Sequence, residues 1–112
     1  MVKFSSATAI ASCWLALTSM APAQAATDTD AAQALFKKND CAKCHAIDKT
    51  KKGPSLKKIA AKLRTENQDK VIKNITTAPK VKLEDGSEED HKVVGTKDPK
   101  ELRNLADWIL AQ

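Results

Sequence analysis

Apolar residues recur at helical spacing along most of this chain, and no stretch alternates with the period of two that a strand exposed on one face requires. Asp28, Thr29 and Asp30 offer N-caps for a first helix running to about Lys38, with Ala31, Ala32, Leu35 and Phe36 on one face. Gly53-Pro54-Ser55 opens a second helix through about Leu63, turning Leu56, Ile59, Ala60 and Leu63 inward. A third, at about residues 67 to 76, turns in Val71, Ile72 and Ile75, and Pro79 follows its end. The last has the clearest start: Asp98 as cap, Pro99 in the first turn and Glu101 at N3, followed by Leu102, Leu105, Ala106 and Ile109. The pattern predicts an all-α domain of about four helices. Two segments read as irregular, residues 46 to 53 and residues 78 to 97, the second long for so small a domain.

The first 25 residues have a different pattern. Lys3 is their only charge, an apolar run follows, and Ala23-Gln24-Ala25 makes a small-residue cleavage site, as in a secretory signal peptide. Repeated Ser and Thr weaken the run as a membrane anchor, and Ile10-Ala11-Ser12-Cys13 only loosely resembles a lipoprotein signal, because Cys13 lies inside the run with little of it upstream. The expected mature chain, residues 26 to 112, is long enough for one domain and has a single Phe, a single Trp and no Tyr. Such a core is thin, and a large apolar cofactor would fill what the side chains do not.

Cys41-Ala42-Lys43-Cys44-His45 supplies that cofactor. Two cysteines separated by two residues reach the two vinyl groups on one edge of a haem as thioethers, and the histidine directly after them is carried to the iron. Competing readings are a redox dithiol, half of a zinc site, and two buried cysteines. The first lacks its βαβ context, and the second would need ligands beyond the only other histidine, His91. Covalent haem c attachment implies export, and the bacterial periplasm is the expected compartment. Outside Cys13, both cysteines are used by the motif, so no disulfide is required.

Leu35-Phe36-Lys37-Lys38, Cys41 to Asp48, Gly53-Pro54-Ser55-Leu56 with Ile59-Ala60-Ala61-Lys62, and Leu105-Ala106-Asp107-Trp108-Ile109-Leu110 together resemble a small bacterial class I cytochrome c of the c-551 type. The resemblance implies the compact class I fold, with terminal helices packed across one another around one haem, and periplasmic electron transfer. Carried over, Cys41 and Cys44 are the thioether residues and His45 is the proximal iron ligand. The Pro54 carbonyl accepts the proton on His45 Nδ1, where the bland reading of Gly53-Pro54 is a turn before a helix. Trp108 is a core residue or a wall of the haem pocket.

One departure matters. The family's distal methionine lies in the loop before the last helix, but the only methionines here are Met1 and Met20. His91 lies in that loop, 46 residues after His45 and 17 before Trp108, close to the methionine's place in the family. His91 is therefore the expected distal ligand of a bis-histidine haem. Its plain alternative is a solvated residue beside Glu88, Glu89 and Asp90. Lys80, Lys82, Lys92 and Asn74 are other candidates, and an open or water-bound iron would favour gas binding, sensing or weak peroxidase activity.

Charge is lopsided. From Lys37 to Lys82, fourteen Lys and Arg stand against four Asp and Glu, a balance of +10; from Glu84 onward the balance is −4. A lysine rim of Lys43, Lys49, Lys51, Lys52, Lys57, Lys58 and Lys62 suits brief encounters with acidic patches on periplasmic redox proteins, or simply keeps that face soluble. Docking on a membrane complex stays open. No nucleic-acid-binding module is recognisable, and no acid/base or nucleophile constellation beyond the haem motif suggests an enzyme. A monomer is the default for one small domain.

Overall fold

The computed structural model describes residues 26–112, so the signal-peptide reading of residues 1–25 lies outside the described residues. Four α-helices form the domain: α1 (Thr29–Lys38), α2 (Leu56–Leu63), α3 (Gln68–Thr76) and α4 (Pro99–Leu110). Among the described residues, no helix is long and apolar enough to cross a membrane.

Helix α4 is the hub, because α1, α2 and α3 all pack on it. Its Leu102, Leu105, Ala106, Trp108 and Ile109 are buried at intervals that repeat one face of the helix. Ala32 of α1 and Ala106 of α4 are fully buried, and such small side chains let two helix axes approach closely. Phe36 sets its ring edge-on to Trp108, with centroids 5.4 Å apart. At the start of α1, Asn104 Oδ1 accepts from the Asp28 amide at 2.7 Å while Asn104 Nδ2 donates to the Asp28 carbonyl at 2.8 Å. Side-chain caps fix three helix starts: Asp28 accepts from the Ala31 amide, Ser55 from Lys58 and Asp98 from Lys100.

The segment expected to be irregular, residues 78 to 97, contains a β-hairpin instead. Strands β1 (Lys80–Lys82) and β2 (Glu88–Asp90) pair antiparallel, with Lys80 opposite Asp90, Val81 opposite Glu89 and Lys82 opposite Glu88. Two of these three pairs place a lysine opposite an acid, and Lys80 Nζ lies 2.8 Å from Asp90. The pairing uses charge in place of apolar alternation, with Val81 as its one aliphatic member. At the tip, Gly86 has a φ of 86°, and Asp85 Oδ1 accepts from the Ser87 amide and hydroxyl. Two strands of three residues do not change the class, which is all-α and compact, as the helical pattern predicts.

Candidate functional site

Asp40 ends the run out of α1 in the left-handed region, φ 58°, a conformation that Asp tolerates better than most residues. The chain then enters a 3-10 turn, Cys41–Lys43, closed by bonds from the Cys44 and His45 amides to the Cys41 carbonyl. This turn brings Cys41, Cys44 and His45 to the edge of one cavity of about 770 Å³. Phe36, Leu56, Leu63, Val71, Ile75 and Ile109 give it an apolar wall. Burial pushes the Cys41 thiol above its ordinary range.

The His45 ring is fixed from two sides. Its Nδ1 lies 2.7 Å from the Pro54 carbonyl; this is a donated hydrogen bond, so Nε2 keeps its lone pair. Gly53 forms the bed beneath the ring: a Cβ there would stand 2.8 Å from His45 Cε1 and 3.2 Å from Nδ1. The Gly53 amide donates to the Cys44 carbonyl at 2.9 Å and the Leu56 amide to Ala46 at 2.8 Å, so loop and motif hold each other. Burial lowers the pKa of His45, with the Pro54 bond opposing and His91 reinforcing the shift. A neutral imidazole is the form that binds a metal.

His91 lies across the same cavity, immediately after β2. Its amide donates to the Pro79 carbonyl at 2.8 Å, and its Nδ1 is 2.9 Å from the Lys92 carbonyl, which again leaves Nε2 free. The rings of His45 and His91 are 6.1 Å apart, centre to centre, and inclined by 38°. Two metal–imidazole bonds of about 2 Å each, together with the two ring radii, require roughly 6 Å. The donor set and the apolar cavity therefore fit an iron macrocycle held between two imidazoles and beside two thiols.

The other expected residues fall into place or move. Asn74, Lys80, Lys82 and Lys92 all line the cavity, with Lys80 engaged by Asp90 and Lys92 by Asp40. Trp108, read as a core residue or a pocket wall, is buried in the core against Phe36, while Phe36, Leu105 and Ile109 line the cavity. The reason is angular, since Leu105 and Ile109 share one stripe of α4 and Trp108 sits on its flank. Among the described residues, no three His, Cys, Asp or Glu converge as a closed zinc site would need. Gly53 as the bed of His45, and Asn39 and Asp40 as anchors for the His91 segment, were not foreseen. For the hairpin the signal was present in Asp85-Gly86, a turn pair between two charged runs.

A profile of the cytochrome c family matches residues 29–112. No curated protein matches significantly. Among solved structures, the chain is similar to the class 1 cytochrome MtoD from Sideroxydans lithotrophicus ES-1, at 46% identity and a TM-score of 0.73, covering 77% of this chain and 97% of that one. It is also similar to cytochrome c552 of Nitrosomonas europaea. A deletion mutant of that protein gives 30% identity and a TM-score of 0.58 over 70% of this chain and 96% of that one. The wild type gives 29% and 0.54 over 70% and 95%. With a family match that spans all four helices and a solved class 1 relative covered almost end to end, the chain belongs to the cytochrome c family and is a class I electron carrier rather than an enzyme.

Proposed function

We propose that this protein is a periplasmic carrier of single electrons with one covalent haem c, of the c-551 type but with two histidine ligands. Cys41 and Cys44 form the thioethers, and His45 and His91 bind the iron. The single observation that carries the reading is the facing pair of imidazoles, 6.1 Å apart across the cavity, each with Nδ1 at a backbone carbonyl and Nε2 unengaged.

The haem supplies an iron that gains and loses one electron. The chain's residues decide what else that iron is able to do. With His45 and His91 both bound, the iron would offer oxygen and peroxide no coordination position, which would favour outer-sphere transfer over gas chemistry. Histidine in place of methionine favours the ferric state, so the potential is expected below that of His/Met relatives. Pro54 orients His45 and increases its basicity through the Nδ1 bond. Lys43, Lys49, Lys51, Lys52, Lys57, Lys58 and Lys62 are all exposed and suit acidic patches on periplasmic partners met in brief encounters. The pattern of residues 1–25 supports export.

The test is the optical and EPR spectrum of the holoprotein in wild type and His91→Ala. A low-spin wild type that becomes high-spin in the variant is the expected result. A high-spin wild type that binds carbon monoxide readily when reduced would put gas binding first. Low-spin spectra in both would assign the distal position to another side chain.

A further inference from the structure

The segment that follows β2 crosses the cavity and is held at several points. The Pro79 carbonyl takes the His91 amide and the Ile75 carbonyl takes the Val94 amide, both on the side of α3 and the hairpin. Two further bonds reach the opposite side. The Gly95 amide donates to Asn39 Oδ1 at 2.7 Å, and Lys92 Nζ meets Asp40 Oδ2 at 2.7 Å. Asn39 is itself fixed, since its Nδ2 donates to the Leu35 carbonyl at 2.8 Å. Asp40 also has Lys43 Nζ 3.4 Å from its other carboxylate oxygen. The strap is thus fastened to the two residues directly before Cys41.

Lys92 has two roles in this arrangement. Its carbonyl holds His91 Nδ1, and its ammonium is tied to Asp40. The clasp and the bond that orients His91 thus belong to one residue, and losing the clasp frees the segment at that residue from its tie to Asp40. The backbone at Asp40 points the same way, because the left-handed turn that starts the cysteine segment also presents the carboxylate to Lys92.

We propose that Asp40 is a positioning residue for His91: through Lys92 it holds the strap shut over the cavity and sets how often the position opposite His45 opens to an outside ligand. This rests on the bis-histidine reading above. The pair is partly exposed, with side chains 63% and 42% accessible, so its loss should change the opening by about two- to fivefold. His91 closes the site, and the clasp tunes it.

The experiment is carbon monoxide binding to the reduced holoprotein, followed by stopped flow in wild type, Asp40→Asn, Lys92→Met and the double variant. His91→Ala serves as the open reference and Lys100→Met as a control for an exposed charge outside the cavity lining. Both single variants should bind about two- to fivefold faster than wild type, and the double no faster than the quicker single, because one interaction is lost in each. Wild type should also speed up with ionic strength while Lys92→Met does not, and in the oxidised form all except His91→Ala should stay low-spin by EPR. Single variants that bind at the wild-type rate would overturn the clasp, as would effects that multiply in the double. A wild type already high-spin and as fast as His91→Ala would instead remove His91 as ligand, and the positioning role with it. The two failures are therefore distinguishable.

Discussion

Gly53→Ala tests the support beneath His45. The backbone at this position does not have the positive φ that would itself exclude alanine, so the whole effect comes from contact. The added Cβ would lie 2.8 Å from His45 Cε1, short of ordinary van der Waals separation by about 0.6 Å. The ring cannot retreat freely, because its Nδ1 is held 2.7 Å from the Pro54 carbonyl, on the next residue. Nor can the loop, whose residue 53 amide is bonded to Cys44. Overpacking of this kind costs about 1–3 kcal/mol. Guanidinium unfolding of the holoprotein should show that loss, and the Soret and EPR spectra should shift as the imidazole tilts. Gly86→Ala is the contrasting case: nothing lies within 4 Å of the new Cβ, but φ is +86°. It should lose about 1 kcal/mol through backbone strain and leave both spectra unchanged. If Gly53→Ala matched wild type in stability and spectrum, the idea that this glycine is the bed of the proximal imidazole would be refuted.

Three further outcomes follow from contacts elsewhere. Phe36→Ala removes a buried ring that both packs on Trp108 and faces the cavity; it should cost about 3–5 kcal/mol by denaturant unfolding. Asn104→Ala loses both hydrogen bonds to the Asp28 backbone and should cost about 1–2 kcal/mol, with faster amide exchange in the first turn of α1. Electron transfer to an acidic redox partner should slow as ionic strength rises, because the Debye length shrinks from about 30 Å at 0.01 M to about 8 Å at 0.15 M; a flat rate would exclude steering by the lysine face.

The helices were legible because each announces itself locally. Ser55 and Asp98 cap as their positions suggest, and Asn67 stands one residue outside α3 as its N-cap. The motif Cys41 to His45 stands out for a similar reason, since it is contained in five consecutive residues, and the structure brings its three side chains to one cavity edge. The hairpin, apart from its Asp85-Gly86 turn pair, was not legible, because Lys80, Lys82, Glu88 and Asp90 set charged residues opposite one another and give no hydrophobic period. Trp108 was ambiguous because spacing alone does not say which flank of a buried stripe meets a cavity and which meets another helix. The ties from Asn39 to Gly95 and Asp40 to Lys92 span 56 and 52 residues, distances over which sequence alone offers no pairing rule.

The closure of α1 against α4 also has a consequence for how the chain comes into being. Contacts such as Asp28–Asn104 join residues 76 apart, so they cannot form until the chain has emerged as far as α4. Because α2 and α3 also pack on α4, a partial chain that ends before residue 99 lacks the surface on which its other helices assemble. Until α4 is in place, the Cys41–His45 stretch lies beside a cavity that lacks the wall Leu105 and Ile109 provide. Docking of that twelve-residue helix completes the wall, so closure of the cavity waits on the element farthest from α1 in sequence.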